Sequence, residues 1–236
     1  MIALNHVAKT LLLAAAVAFW GMNTFSQEAE NLVQRVNDSV YLIKEIRINL
    51  NTETLEIPCK INMDRGLLEV ILCTPKGKVH ESLLVCRSSP VEFQTALLLL
   101  GLDPVNEVPD KKELIPDDSP YLNITTPGDS VKLFISWENS QGKFLKPVEN
   151  FIKTTGTEKG ISEMSWLFLG ASTHYTGHVL VDPETTIIAT FHDPLALMEL
   201  NNSTKYDDTL YYVNEKETPP VGTQVNLIIK KTNNQK

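Results

Sequence analysis

Cysteine is scarce in this sequence: three residues in 236, namely Cys59, Cys73 and Cys86. So low a count excludes a disulfide-dense scaffold, and an odd number leaves at least one thiol unpaired within the chain. The three read as small apolar core residues, with pairing of two of them left open. No Cys-x-x-Cys-x-x-Cys run occurs, so a thiolate-bound iron–sulfur cluster is not indicated. No run of five or more like charges marks an interaction tail. Cations are outnumbered, 21 against 29 acidic residues, for a net charge of −8. Such a surface repels phosphate and anionic lipid, which argues against nucleic acid or a membrane surface as partner. Gly-x-Ser-x-Gly is absent. A serine two residues from a histidine on one strand, as in His80 and Ser82, lacks the geometry of a catalytic triad.

Long apolar runs are confined to the N-terminus. Leu11–Trp20 is wholly apolar, His6 and Lys9 precede it, and Thr24 and Ser26 supply the small residues that a signal peptidase requires. The expectation is a signal sequence over residues 1–26, cleaved before Gln27, and a periplasmic or secreted product. Loss of Lys9 would take the net charge from −8 to −9. Beyond it, no run approaches the roughly 20 residues of a membrane span, so no integral span is expected after cleavage. Hydrophobic residues make up 42% of the chain, enough for a core without staples.

Residues 27–40 read as a polar, flexible lead-in, and residues 41–236 as one β-rich domain. Strands are expected over Leu42–Leu50, Leu55–Ile61, Leu67–Thr74 and Val79–Cys86, an antiparallel meander separated by turn residues. Ser89 before Pro90, with Glu92 completing a capping box, predicts a well-buried helix that stops at Gly101. Residues 103–129 form a long segment containing five prolines. Strands resume at Val131–Trp137, Trp166–Leu169, His178–Val181, Thr186–Phe191 and Gln224–Lys230. Asp182-Pro183-Glu184 reads as a turn, and Asp193-Pro194 as the start of a second short helix. The fold class is mainly β, a β-rich α+β arrangement: an antiparallel sheet or sandwich with one or two short helices.

The strongest local cluster is Lys78-Val79-His80-Glu81-Ser82. On a strand, Lys78, His80 and Ser82 share one face, while Glu81 joins the apolar row of Val79, Leu83 and Val85. A carboxylate in such a row must be paired, with Arg87 or backbone N–H groups as candidates, or it must floor a pocket with His80 at the rim. His174, His178, His192 and Asp193 complete the possible metal donors. The i, i+4 spacing of His174 and His178 would join them only on a helix, which Gly177 opposes. The metal question stays open and no cofactor is indicated. Trp137 and Trp166 are core anchors or the lining of a sugar or peptide groove.

The string Lys78-Val79-His80-Glu81-Ser82-Leu83-Leu84, the helix end Ala96–Gly101, Trp137, Trp166 with Gly170, Asp182, and the closing Pro219-Pro220-Val221-Gly222-Thr223 occur in this order. Together they resemble the YdjY-type domain, a family of exported bacterial proteins, from about Leu42 to Lys230. The resemblance implies a single exported domain and no particular activity. The functional expectation is a non-enzymatic binding or interaction module with an unidentified protein or small-molecule partner, its site drawn from Lys78, His80, Glu81, Ser82, Trp166 and His192. The alternative is a metal-dependent or hydrolytic periplasmic protein using His80 and Glu81.

Overall fold

A computed structural model describes residues 32–105, 128–155, 163–170, 186–193 and 195–232. The first described strands are β1 (Val33–Arg35), β2 (Val40–Ile43), β3 (Ile46–Asn49), β4 (Thr54–Ile61), β5 (Val70–Cys73) and β6 (Ser82–Cys86), followed by helix α1 (Pro90–Leu99). Next come β7 (Ser130–Asn139), β8 (Gly142–Pro147), β9 (Ile152–Thr154), β10 (Trp166–Phe168), β11 (Thr186–Ala189), β12 (Met198–Leu200), β13 (Tyr211–Val213) and β14 (Gln224–Lys231).

Eight of these strands close on themselves in the order β4-β14-β7-β10-β12-β11-β5-β6, with β6 returning to β4. The mainly β class holds, but the sheet is a mixed barrel. β11 pairs with β12, and β5 with β6, in parallel, so the first strands are not the antiparallel meander expected. Closure removes the free edges that an open sheet exposes.

The seam of the barrel lies on β4. One edge of this strand pairs with β14 along Thr54–Lys60. The other edge is shared: β3 takes Thr54–Glu56 and β6 takes Cys59–Ile61. Pro58 falls between the two partners, at the one position of that edge where a missing N–H costs no ladder bond. Odd positions of β4 (Leu55, Ile57, Cys59, Ile61) face inward, as do Val131, Leu133 and Ile135 of β7 and Val225, Leu227 and Ile229 of β14. These rows are the period-2 pattern of strands with one buried face.

Helix α1 starts as its sequence predicts. The Ser89 hydroxyl accepts the Glu92 N–H at 3.3 Å, and the Glu92 carboxylate accepts the Ser89 N–H at 3.0 Å. Gly101 stands just past its end at φ +79°. Phe93, Ala96 and Leu97 are buried, whereas Val91, Leu98 and Leu99 remain partly exposed, so only one face of the helix is covered.

Three further expectations change. The strand expected over Leu42–Leu50 is the hairpin β2–β3, which turns at Lys44 with φ +50°. Val33–Arg35, inside the stretch read as lead-in, pairs with β2. The helix expected at Asp193 is a single turn: the Asp193 carboxylate and carbonyl accept the N–H groups of Leu195 and Ala196, after which the chain enters β12. The demand of β10 and β11 for a strand between them outweighs the local capping signal. His178–Val181 and Asp182-Pro183-Glu184 lie outside the described residues. Among the described residues, no helix is long and apolar enough to cross a membrane.

Candidate functional site

Parallel pairing of β5 and β6 governs the Lys78–Ser82 cluster. The intervening residues 74–81 must carry the chain back along β5, and they do so partly through a 3-10 turn at Val79–Glu81. Strand alternation therefore begins only at Ser82, and the expected division of faces does not hold. Ser82 is sealed in the core, its hydroxyl donating to the Leu84 carbonyl at 2.8 Å, so it cannot serve a surface site. His80 projects outward with its side chain 78% exposed. Glu81 is not part of an apolar row. Its side chain is 15% exposed and lies 3.7 Å from both the Lys78 ammonium and the His80 imidazole, which take the place expected for Arg87.

Around this turn the charged groups are linked. Lys78 reaches Asp193 at 3.7 Å. The Glu69 N–H donates to the Glu81 carbonyl, and the Glu69 carbonyl accepts from Thr190 and Phe191, tying the turn to the end of β11. Burial, followed by the neighbouring charge of Glu81, pushes the Glu69 carboxyl above its ordinary range, with Lys78 opposing. The adjoining His192 has its Nδ1 2.8 Å from Oε2 of Glu199 on β12, and Lys205 pairs with the other oxygen of that carboxylate. Glu199 is only 3% exposed. Tyr206 stands beside both partners of Glu199, its ring 5.3 Å from that of His192 and 5.4 Å from the Lys205 ammonium.

The structure thus joins Lys78, His80 and Glu81 with Asp193 in one polar cluster, beside Glu69, and places His192 in a second one with Glu199 and Lys205, the two meeting at the adjacent residues His192 and Asp193. It excludes Ser82 and Trp166 from any surface site. Trp166 is fully buried, registered against Val131 and Leu200, because β10 is an interior strand of the barrel whose side chain joins the core. His174 and His178 lie outside the described residues. Among those described, no three His, Cys, Asp or Glu side chains converge as metal ligands would.

A second feature is a groove of about 480 Å³ along β4, β14, β7 and β8. It is lined by the outward-facing Glu56, Pro58, Ser136 and Asn226 and also by Trp137 and Phe144, which by alternation continue the inward row of Val131, Leu133 and Ile135. Register builds it: Asn226 stands between Pro58 and Ser136 on the polar face, opposite the inward rows. The Asn226 amide donates to Glu56 at 2.8 Å. At one end Trp137 faces Phe144 across the β7–β8 pair, with ring centroids 4.8 Å apart and planes at 11°. Phe151 meets Trp137 edge-on at 5.9 Å, and the Lys146 ammonium lies 5.9 Å from the same ring. Glu138, Lys143 and Gln224 complete the polar lining. Trp137 alone was legible from sequence as a possible groove residue. The rest depends on a pairing between β4 and β14 that is remote in the chain.

The family model of the YdjY domain matches residues 46–230, most of the chain, and the protein therefore belongs to that family. No curated protein matches the chain, and no solved structure does.

Proposed function

We propose that this YdjY-domain protein is an exported, non-enzymatic binding module whose ligand lies along the groove beside Trp137 and Phe144. The stacked aromatic pair at the end of a polar groove carries the reading. Two carboxylates, Glu56 and Glu138, face one cation, Lys143, so the lining disfavours anions. Amide and carboxylate groups offer both donors and acceptors beside an apolar ring surface, the combination that suits a neutral polyhydroxylated ligand such as an oligosaccharide. Export is supported by the apolar Leu11–Trp20 run followed by Thr24 and Ser26.

The test is calorimetric titration of the exported protein with soluble β-linked glucose and N-acetylglucosamine oligosaccharides. Saturable binding that weakens at least tenfold in Phe144→Ala and Asn226→Ala supports the reading. No heat with any of these ligands, or binding that both variants leave intact, overturns it.

A metal-dependent or hydrolytic role, using His80 and Glu81 with help from His192, is favoured by one observation, which concerns His192. The adjoining His192 is oriented by a buried carboxylate, as a general base requires. Elemental analysis of the untagged protein for zinc, copper and iron decides the metal-dependent form of that reading.

A further inference from the structure

Cys59 and Cys86 are register partners across the antiparallel pair β4–β6. In such a pair, positions alternate between hydrogen-bonded and non-hydrogen-bonded, the latter with Cα atoms closer together, at about 4.5 Å. Which kind this pair is follows from its neighbours. The Asn62 N–H donates to the Leu83 carbonyl at 2.8 Å, so that position, next to the Ile61–Leu84 pair, is hydrogen-bonded. Counting back, Lys60–Val85 is hydrogen-bonded and Cys59–Cys86 is not. The other edge of β4 agrees: the Ile61 N–H donates to Thr223 at 3.0 Å, so odd residues of β4 direct their backbone toward β14. The two cysteines therefore occupy a narrow pair with side chains on one face.

A separation of about 4.5 Å falls within the range of roughly 4.4–6.8 Å that a disulfide spans, near its short end. In the reduced form the thiols bond weakly to carbonyls, Cys59 to Ile57 at 3.3 Å and Cys86 to Ser88 at 3.6 Å, and the Cys59 thiol also interacts with that of Cys86 and with the Leu227 backbone. Little is lost when those protons leave. Cys73, the third thiol, is registered against Val85 and has no cysteine opposite it.

We propose that Cys59 and Cys86 form a cross-strand dithiol that closes to a disulfide by exchange with a small-molecule disulfide oxidant such as glutathione disulfide. One cysteine thiolate attacks a sulfur of the oxidant, forming a mixed disulfide and releasing one glutathione thiolate. The second cysteine thiolate displaces the other glutathione. Two electrons pass to the oxidant, and the two thiol protons end on the two glutathione thiols. The bond would cross the β4–β6 seam that closes the barrel, which registers through only Cys59, Lys60 and Ile61 of β4.

Both cysteines are nearly sealed, at 3% and 2% exposure. Exchange is therefore slow in the closed fold and proceeds when the seam is open. The geometry does not depend on the proposed ligand groove or on export, although an exported protein would meet an oxidising medium.

The test is to unfold the full chain under reducing conditions and refold it in glutathione buffer with the disulfide form in excess. Free thiols are then alkylated and the peptides mapped without reduction. A Cys59–Cys86 linked peptide with alkylated Cys73, and a Tm about 5 °C above that of the reduced protein, is the expected result. Cys73→Ser should keep both the link and the shift. A dominant link through Cys73, full alkylation of all three cysteines, or loss of the Cys59–Cys86 link in Cys73→Ser overturns the proposal.

Discussion

Glu199 and Lys205 form an ion pair that is almost out of water: the carboxylate side chain is 3% exposed and the ammonium side chain 18%. The second oxygen of Glu199 is held by His192, so the carboxylate is paired on both sides. Truncating one partner of a buried pair strands the other charge, which costs about 3–5 kcal/mol. Lys205→Ala should therefore lower unfolding free energy by about 3 kcal/mol, measured by urea denaturation. Tyr206→Ala, which removes an exposed ring beside the same cation, should change it by about 0.5 kcal/mol or less. Similar values for the two variants would show that Glu199 does not depend on Lys205.

Glu69 and Glu81 predict a pH dependence. Burial and the Glu81 charge raise the Glu69 carboxyl pKa in the folded protein. A raised carboxyl binds its proton more tightly folded than unfolded, so ionisation weakens the fold. Stability from this group is present at pH below its unfolded value and declines as pH rises through the ordinary carboxylate range toward the folded value. Glu69→Gln should raise Tm relative to the parent at pH 7 and by less at pH 4, as read by thermal melts. An equal gain at both pH values would mean that charge is not the cause. Glu81→Ala should cost about 1 kcal/mol or less, because its partners are exposed or shared and Lys78 keeps Asp193.

Local signals were readable in the sequence and long-range ones were not. The Ser89–Glu92 box needs four neighbouring residues and appears in the structure as expected. The alternation of Val131, Leu133 and Ile135 likewise reports one buried face of one strand. Closure of the barrel instead depends on Cys59 meeting Cys86 and Ile188 meeting Met198, pairings that no local pattern encodes. The error at Glu81 has the same origin. Val79–Cys86 has strand composition, but a parallel return from β5 bends its first three residues into a turn. Glu199 is hidden in the sequence because Asp193-Pro194 reads as a helix start. Its one available signal was a lone carboxylate between Met198 and Leu200.

The two tryptophans beyond residue 26 occupy opposite extremes, which makes the groove measurable. Trp166 is fully buried among core side chains. Trp137 is only partly buried and lines the groove against Phe144. In protein beginning at Gln27, which lacks Trp20, acrylamide should quench one fraction of the indole emission and leave a second almost untouched. Trp137→Phe should abolish the quenchable fraction, since solvent reaches that ring through the groove. An oligosaccharide seated beside Phe144 would protect the same fraction in the parent protein and leave the resistant fraction unchanged. Quenching that persists in Trp137→Phe would place solvent at Trp166, and the barrel interior would then be open where the packing of β10 between β7 and β12 requires it to be closed.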